Sequence, residues 1–365
     1  MIKSIAELTE KELYGKKILL RVDFNVPIEN GKISETYRIT AVKETINYLV
    51  NEGAVIVLIS HITALNSFES IVKQIIEVLG IGIIFIPDCI GEIVKKNLDN
   101  SKSGHVFLLD NVRKYDGEEN NNIEFAEKLA EPFDIYVNDA FAESHRNYAS
   151  IAAITKYLPS YAGFLLIKEI EKLNGALNMP KSGKTLILGG TKIETKFPVI
   201  KNFFDKTENI LIGGAVANVF LKAKGLDIEK SVCEDIFLAD AKKLLEKNSR
   251  ISIPKDYVMA NGMIFDIGPK TVDEFKEIIS KSKMIIWNGP LGKVEDEKFS
   301  VGSKKISEAI MNSGAFSVVG GGDTIAFLEK LTLIDKFNYV STGGGAMLEF
   351  LAGNKLSGLF ALGYD

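Results

Sequence analysis

Cysteine is nearly absent: Cys89 and Cys233 are the only two in 365 residues, far apart and outside any CxxC or Cys/His spacing. That argues against a disulfide framework or a thiolate zinc site and makes a cytoplasmic location the expectation. Arginine is also scarce, occurring only at positions 21, 38, 113, 146 and 250. A chain that draws its surface charge from lysine leaves arginine for places where a planar fork recognises carboxylate or phosphate. Arg250 reads as ordinary surface, whereas the other four all precede residue 150. No apolar run approaches the ~20 residues that cross a bilayer. The opening MIKSIAELTEKELYGKK is too polar for the apolar core of a signal peptide. With a formal charge of −4 the chain lacks the basic balance of a nucleic-acid binder. No nucleic-acid or membrane partner is expected, and any anion site must be local.

Two common nucleotide signatures are missing as well. KSGKT (181–185) imitates the tail of a Walker A loop, but Asn178 stands where its first glycine belongs. The segment also precedes the strand-like TLIL instead of following a strand, so a P-loop is rejected. No GxGxxG follows a strand, which disfavours a nicotinamide enzyme.

What is present is a long alternation of β-branched runs and amphipathic helical stretches, the pattern of βαβ units and parallel sheets. At 365 residues two domains are the natural expectation. The first runs are KILLRVDFN (17–25), AVIVLISH (54–61), IGIIFIPD (81–88), HVFLLDN (105–111) and DIYVNDAF (134–141). They end in Arg, Asp, Asn or His. The later runs are TLILGG (185–190), NILIGG (209–214), MIIWNGP (284–290), FSVVGGG (316–322) and YVSTGGG (339–345), and they end in glycine. Ligands of open α/β sheets bind at the carboxyl ends of the strands. Side-chain donors at one edge suit a small anion, and bare backbone at the other suits a nucleotide and its phosphates. Glycines that merely make tight strand-to-helix turns would look the same at any single junction, but here five junctions share the pattern.

The expected architecture is therefore α/β, with two Rossmann-like three-layer lobes of mostly parallel strands joined by a hinge helix. The boundaries are 1–158 with about 352–365 for the first lobe, and 159–351 for the second. After Pro159, a long helix from about Tyr161 would connect them, with hinge motion about 156–173. GEENNN (117–122) reads as a solvated loop.

Several positions carry chemistry. Period two places Arg21, Asp23 and Asn25 on one face of a strand, and three polar groups there are costly unless they meet a ligand or partner. Arg38, His61, Arg113 and Arg146 add donors at strand exits or loops. Taken singly each could be a salt bridge, or for His61 a satisfied core histidine; together they read as an anion cage. In GGTKIETK (189–196), Lys192 and Lys196 stand one helical turn apart beyond Gly189 and Gly190. They could neutralise nucleotide phosphates, or stand as solvated surface lysines, the commoner fate. GGGDT (320–324) sets Asp323 between Gly322 and Thr324. One carboxylate is how magnesium arrives with a nucleotide, although an aspartate here would also serve as a helix N-cap. STGGGA (341–346), including Gly345, offers further backbone N–H groups to a phosphate.

At this point the chain resembles the phosphoglycerate kinase family along almost its whole length. The matching segments are RVDFNVP, YRI (37–39), LLDNVRKY (108–115), YVNDAFAESHR (136–146), AGFLLIKEI (162–170), GGTKIETK, FDIGPKT (265–271), WNGPLG (287–292), GGGDT and STGGGAMLEFL. The resemblance implies reversible transfer from 1,3-bisphosphoglycerate to Mg-ADP, giving 3-phosphoglycerate and ATP, with small molecules as the substrates; oligomeric state is not readable from the chain, and a monomer is the default expectation. The resemblance also implies a glycerate site at Asp23, Asn25, Arg38, His61, Arg113 and Arg146, with Arg21 in the same strand motif. Arg38 and Lys192, with Gly322 and Gly345, would stabilise the migrating phosphoryl group. Lys196, Gly189, Gly190, Gly213, Asn288, Glu295 (ribose), Asp323 (magnesium) and Thr324 would form the nucleotide site.

Three stretches depart from the family pattern. The expected SHLGRP is SHITAL, with Ala64 in place of arginine, and FGTAHR is FAESHR, with Ala142 and Glu143. The region between 253 and FDIGPKT is shortened. One lost charge-assisted hydrogen bond costs about 1.5–3 kcal/mol. Because the first two changes fall on the substrate side, a same-fold kinase for another small carboxylate stays open, as does a non-catalytic nucleotide-binding relative.

Overall fold

The computed structural model describes residues 2–247 and 250–364. The chain divides into two compact units, Met1–Ile170 with Lys355–Asp365, and Glu171–Asn354.

In the first unit the β-branched runs become the parallel strands β1 (Lys17–Arg21), β2 (Val55–Ile59), β3 (Ile84–Ile86), β4 (Val106–Leu109), β5 (Ile135–Asn138) and β6 (Ser160–Ala162). Their order across the sheet is β3-β4-β2-β1-β5-β6. Helices α1 (Tyr37–Ala41), α2 (Lys43–Asn51), α3 (Val72–Leu79), α4 (Glu92–Asp99) and α5 (Ile123–Ala130) supply the crossovers that parallel pairing demands. Alternation along β1 makes the three layers. Ile18 and Leu20 pack with Ile46, Leu49, Ile75 and Leu79 of α2 and α3. Leu19, on the opposite face, packs with Val94, Leu98, Phe125 and Leu129 of α4 and α5. Glycine ends α3 as expected, with Gly80 left-handed at φ 68°.

Register decides what emerges together. Arg21 is level with Ile59 on one side and Asn138 on the other. The next residues, Val22–Asn25, Ser60–His61 and Asp139, therefore leave the sheet at one edge.

Two expectations change here. Strand β1 stops at Arg21, so Asp23 and Asn25 do not continue its face; they belong to the following segment, where the Asn25 amide donates to Asp23 Oδ1 at 3.0 Å. The long helix α6 (Phe164–Asn178) begins three residues later than expected, because Ser160–Ala162 pairs with β5 as a sixth strand.

Asp139 anchors the start of α6, accepting the Leu166 amide at 2.9 Å. It is fully buried, and that burial raises its pKa to about 7 despite hydrogen bonds from Thr45 and the Leu166 and Leu165 amides. An acid whose folded pKa lies above its unfolded value near 3.9 stabilises fully below the lower value, and that stability is lost as pH rises through the upper one. We expect urea unfolding to show stability falling between pH 5 and 8 by up to a few kcal/mol. Asp139→Asn should lose that part of the slope; parallel profiles for the two proteins would refute the assignment.

The second unit repeats the architecture with strands β7 (Lys184–Leu188), β8 (Asn209–Ile212), β9 (Ile251–Ser252), β10 (Met284–Asn288), β11 (Phe316–Gly320) and β12 (Tyr339–Ser341). All are parallel, in the order β9-β8-β7-β10-β11-β12. Helices α7 (Ile193–Phe203), α8 (Gly214–Ala223), α9 (Leu238–Lys247), α10 (Pro269–Ser280), α11 (Val301–Asn312), α12 (Gly322–Lys330) and α13 (Gly344–Ala352) connect them. The strand order reverses between β7 and β10, which is the switch point where such sheets open a crevice. Leu188 is level with both Ile212 and Asn288, and Asn288 with Gly320. The glycine exits therefore converge.

Candidate functional site

At the carboxyl edge of the first sheet, Arg38 Nη1 donates to the Asn25 carbonyl at 2.9 Å and lies 3.4 Å from Asp23 Oδ2. The Asn25 side chain accepts the Thr63 amide at 2.9 Å, tying the segment after β1 to the one after β2. Ser60 accepts the Phe24 amide and donates to the Val22 carbonyl, both at 2.9 Å. Arg21 itself is completely buried and is held by Ser150 Oγ at 3.0 Å and the Val22 carbonyl.

Arg21 determines the state of His61. Its Nη2 lies 3.4 Å from His61 Nδ1, and a guanidinium can only donate. Nδ1 is therefore the acceptor, and Nε2 carries the hydrogen. Burial first, then Arg21, Arg113, Arg38 and Arg146, push the imidazole pKa down to about 2. His61 is a neutral donor set in a positive field.

Its Nε2 has no hydrogen-bond acceptor among the described residues; the buried Nε atoms of Arg38 and Arg113 make no well-aligned hydrogen bond there either, and meet only ion-pair contacts, to Glu35 at 3.6 Å and Glu119 at 3.3 Å. Arg113 follows β4 in a short turn; its Nη2 is 3.5 Å from Glu143 Oε2, and its guanidinium stands over the Tyr148 ring at 5.4 Å. Arg146 is exposed. Buried donors that lack a well-aligned acceptor are costly, and three such donors from three separate segments make this edge a candidate anion site.

Asp23, His61 and Glu143 also bring one potential ligand atom each within 4.8 Å of one another. The proton on His61 Nε2 and the surrounding guanidiniums make this a poor cation site and a good anion site.

Sequence reasoning missed the support beneath this edge. GEENNN is not simply solvated: Glu118 is fully buried and accepts the Ser150 amide at 2.8 Å and hydroxyl at 2.6 Å. The same Ser150 holds Arg21. Nothing local marks Glu118, because its partner is 32 residues away.

In the second unit the glycine turns are tied to one another through their backbones. Gly189 and Gly190 donate their amides to the Asn288 and Pro290 carbonyls at 3.0 and 2.7 Å, and Gly213 donates to Leu188 at 2.9 Å. Their N–H groups are thus engaged with the ends of neighbouring strands and the turn at Pro290, and the absent side chains allow close approach. A Cβ on Gly189 would sit 2.1 Å from the Pro290 oxygen. Thr324 is buried, and its hydroxyl accepts the Gly289 amide at 3.0 Å, so it holds the turn. Asn288 is buried with its side-chain amide against Gly321.

A cavity of about 280 Å³ opens beside these turns. Ala215, Val232, Pro254, Met263, Phe265 and Leu291 line it as an apolar slot, with Gly190, Glu295 and Asp323 at polar positions. The hairpin Tyr257–Ala260 and Met263–Ile267 supplies one wall. Lys192 occupies the N-cap position of α7 and is exposed, while Lys196, one turn on, is buried. Burial lowers the Lys196 pKa to about 8, with Lys192 also lowering it and Asp323 opposing. Asp323 itself is exposed in the first turn of α12. The first-turn amides of α12 and of α13, where Gly322 and Gly345 lie, have no acceptor inside their own helices. An apolar slot bordered by lysines, a carboxylate and helix N-termini suits a purine nucleotide with its phosphates.

Residues 8–354 match the family model described as phosphoglycerate kinase. A phosphoglycerate kinase from Dictyoglomus turgidum is 42% identical, covering 99% of this chain and 98% of that protein. The cytosolic phosphoglycerate kinase of Triticum aestivum is 39% identical over 99% and 98%. The crystal structure of phosphoglycerate kinase from Pyrococcus horikoshii OT3 superposes with a TM-score of 0.90 at 34% identity, covering 99% of this chain and 98% of that one. The enzyme from Coxiella burnetii gives 0.82 at 35%, covering 99% of both.

Proposed function

The chain belongs to the phosphoglycerate kinase family, and we propose that it transfers a phosphoryl group reversibly from 1,3-bisphosphoglycerate to Mg-ADP, yielding 3-phosphoglycerate and ATP. The observation that carries this reading is the cluster of buried donors without well-aligned acceptors on Arg38, His61 and Arg113 in one unit, together with the apolar slot at the glycine exits of the other. Direct phosphoryl transfer needs alignment and charge neutralisation, not a covalent nucleophile.

In this scheme Asp23, Asn25, Arg38, His61, Arg113 and Arg146 hold the glycerate substrate, with Arg21 fixing the His61 tautomer. Arg38 and Lys192 stabilise the migrating group, together with the amides at Gly322 and Gly345. Lys196 binds the nucleotide phosphates and Glu295 the ribose. Asp323 would hold magnesium; a single exposed carboxylate fits an ion that keeps most of its waters and phosphate oxygens. When bound, the ion would neutralise phosphate charge. We place the enzyme in the cytoplasm as a monomer, with no nucleic-acid partner.

The test is coupled formation of ATP from 1,3-bisphosphoglycerate and ADP. ADP binding with no turnover would sink the reading.

Lys196 supplies a pH signature. The phosphates favour its charged form, so ADP affinity should stay level below pH 7.5 and fall above about 8, where the free lysine deprotonates. Lys196→Arg keeps its charge and should flatten the fall. Calorimetric titration of ADP between pH 7 and 9 checks this.

A further inference from the structure

Glu143 is a carboxylate inside the arginine cluster that the reaction does not call for. It ends the turn Phe141–Glu143 after β5 and is buried. Its Oε2 is 3.5 Å from Arg113 Nη2, and its Oε1 is 3.9 Å from His61 Nε2. These are two of the donors that an anionic substrate would use. Every element that meets at this edge presents charge to it. Arg21 and Asp23 come from β1 and its exit, His61 from the β2 exit, Arg113 from the β4 exit, and Arg146 from three residues along its own loop. Arg38 on α1 bears on the same cluster through His61. Arg113 is further shared with Glu119 at 3.3 Å.

We propose that Glu143 sets the affinity and pH response of the substrate site: its carboxylate is an internal counter-anion, and the anionic substrate binds with uptake of one proton by Glu143. Two anions on the same two donors repel each other. The neutral carboxyl instead releases those donors and can itself donate its O–H to a substrate oxygen. Burial and the neighbouring Asp23 already favour the protonated form, against the pull of Arg21, Arg113 and Arg146. A dianion bound alongside moves the balance further the same way. The two histidines near the loop do not titrate in this range, since His61 and His145 are held near 2 and 4.

The inference rests on this cluster being the glycerate-phosphate site. The test is calorimetric binding of 3-phosphoglycerate at pH 7–8, where its phosphate is dianionic, in two buffers of different ionisation enthalpy. Wild-type protein should take up protons on binding, the count per ligand growing from pH 7 to 8, with affinity rising as pH falls. Glu143→Gln should take up none and should bind several-fold tighter at pH 8, the advantage shrinking toward pH 7. The wild-type proton count stands even if the variant fails to fold. Binding by both proteins with no proton uptake and equal affinity overturns the role of Glu143 and leaves the site assignment standing. Absence of binding by either protein overturns the site assignment, and the proposal with it.

Discussion

Arg38→Ala should lower turnover of 1,3-bisphosphoglycerate by about 10³-fold while leaving the KM for ADP close to that of the parent. The magnitude follows from the loss of a preset cation at a phosphoryl-transfer centre, where one arginine is worth ~10³ or more. Arg38 is preset in this sense. Its Nη1 is tied to the Asn25 carbonyl and faces Asp23, while its buried Nε lies 3.6 Å from Glu35 Oε2 without a well-aligned hydrogen bond. The group therefore reaches its ligand already oriented, and little reorganisation is needed when charge builds up. Arg38→Lys should recover only part of the rate, because a point charge cannot reproduce the fork. Steady-state coupled kinetics decide the matter. A rise in KM for the glycerate substrate with kcat unchanged would mean that Arg38 binds substrate and transition state equally, and the proposed role would be lost.

The second large effect belongs to a residue with no side chain. Gly189→Ala should weaken ADP binding by roughly 100-fold and destabilise the second unit by on the order of 3 kcal/mol. The added Cβ would lie 2.1 Å from the Pro290 oxygen and 2.8 Å from the Gly289 oxygen. Both obstacles are backbone, so no rotamer change relieves them. The β7 and β10 exits must separate, breaking the bonds from Gly189 to Asn288 and from Gly190 to Pro290. The crevice between these strands is the one the nucleotide would fill. Gly314→Ala is the matched control. Nothing lies within 4 Å of its Cβ position, and only its φ of +70° resists substitution, a strain of about 1–2 kcal/mol. ADP titration and thermal unfolding of both variants separate the two cases. Wild-type ADP affinity in Gly189→Ala would show that the packed turns do not shape the site.

The strands were legible because each is a short β-branched run closed by its own punctuation. Polar ends in one half and glycine ends in the other are likewise visible in the chain itself, and they suggest a small anion at one edge and a nucleotide at the other. Arg38, His61, Arg113, Lys192 and Asp323 could be picked out because their residue types are unusual at strand exits. The end of β1 was misjudged, since period two says nothing about where the neighbours β2 and β5 stop pairing. The start of α6 was misjudged for the same reason: only pairing with β5 shows that Ser160–Ala162 is a strand.

By itself, then, the sequence determined the α/β class with its two parallel-sheet lobes and the family, and it nominated the side chains of the candidate site. Tertiary structure alone decided what those side chains are free to do. It turned Arg21 into the residue that fixes the tautomer of His61, and it used the amides of Gly189, Gly190 and Gly213 to tie neighbouring strand exits together. It also drew Glu118 out of an apparently solvated loop and placed Glu143 among the arginines. The physical reason is common to all of these. A hydrogen bond or a shifted pKa depends on groups brought together across tens of residues by sheet register, and no local pattern in the chain encodes that distance.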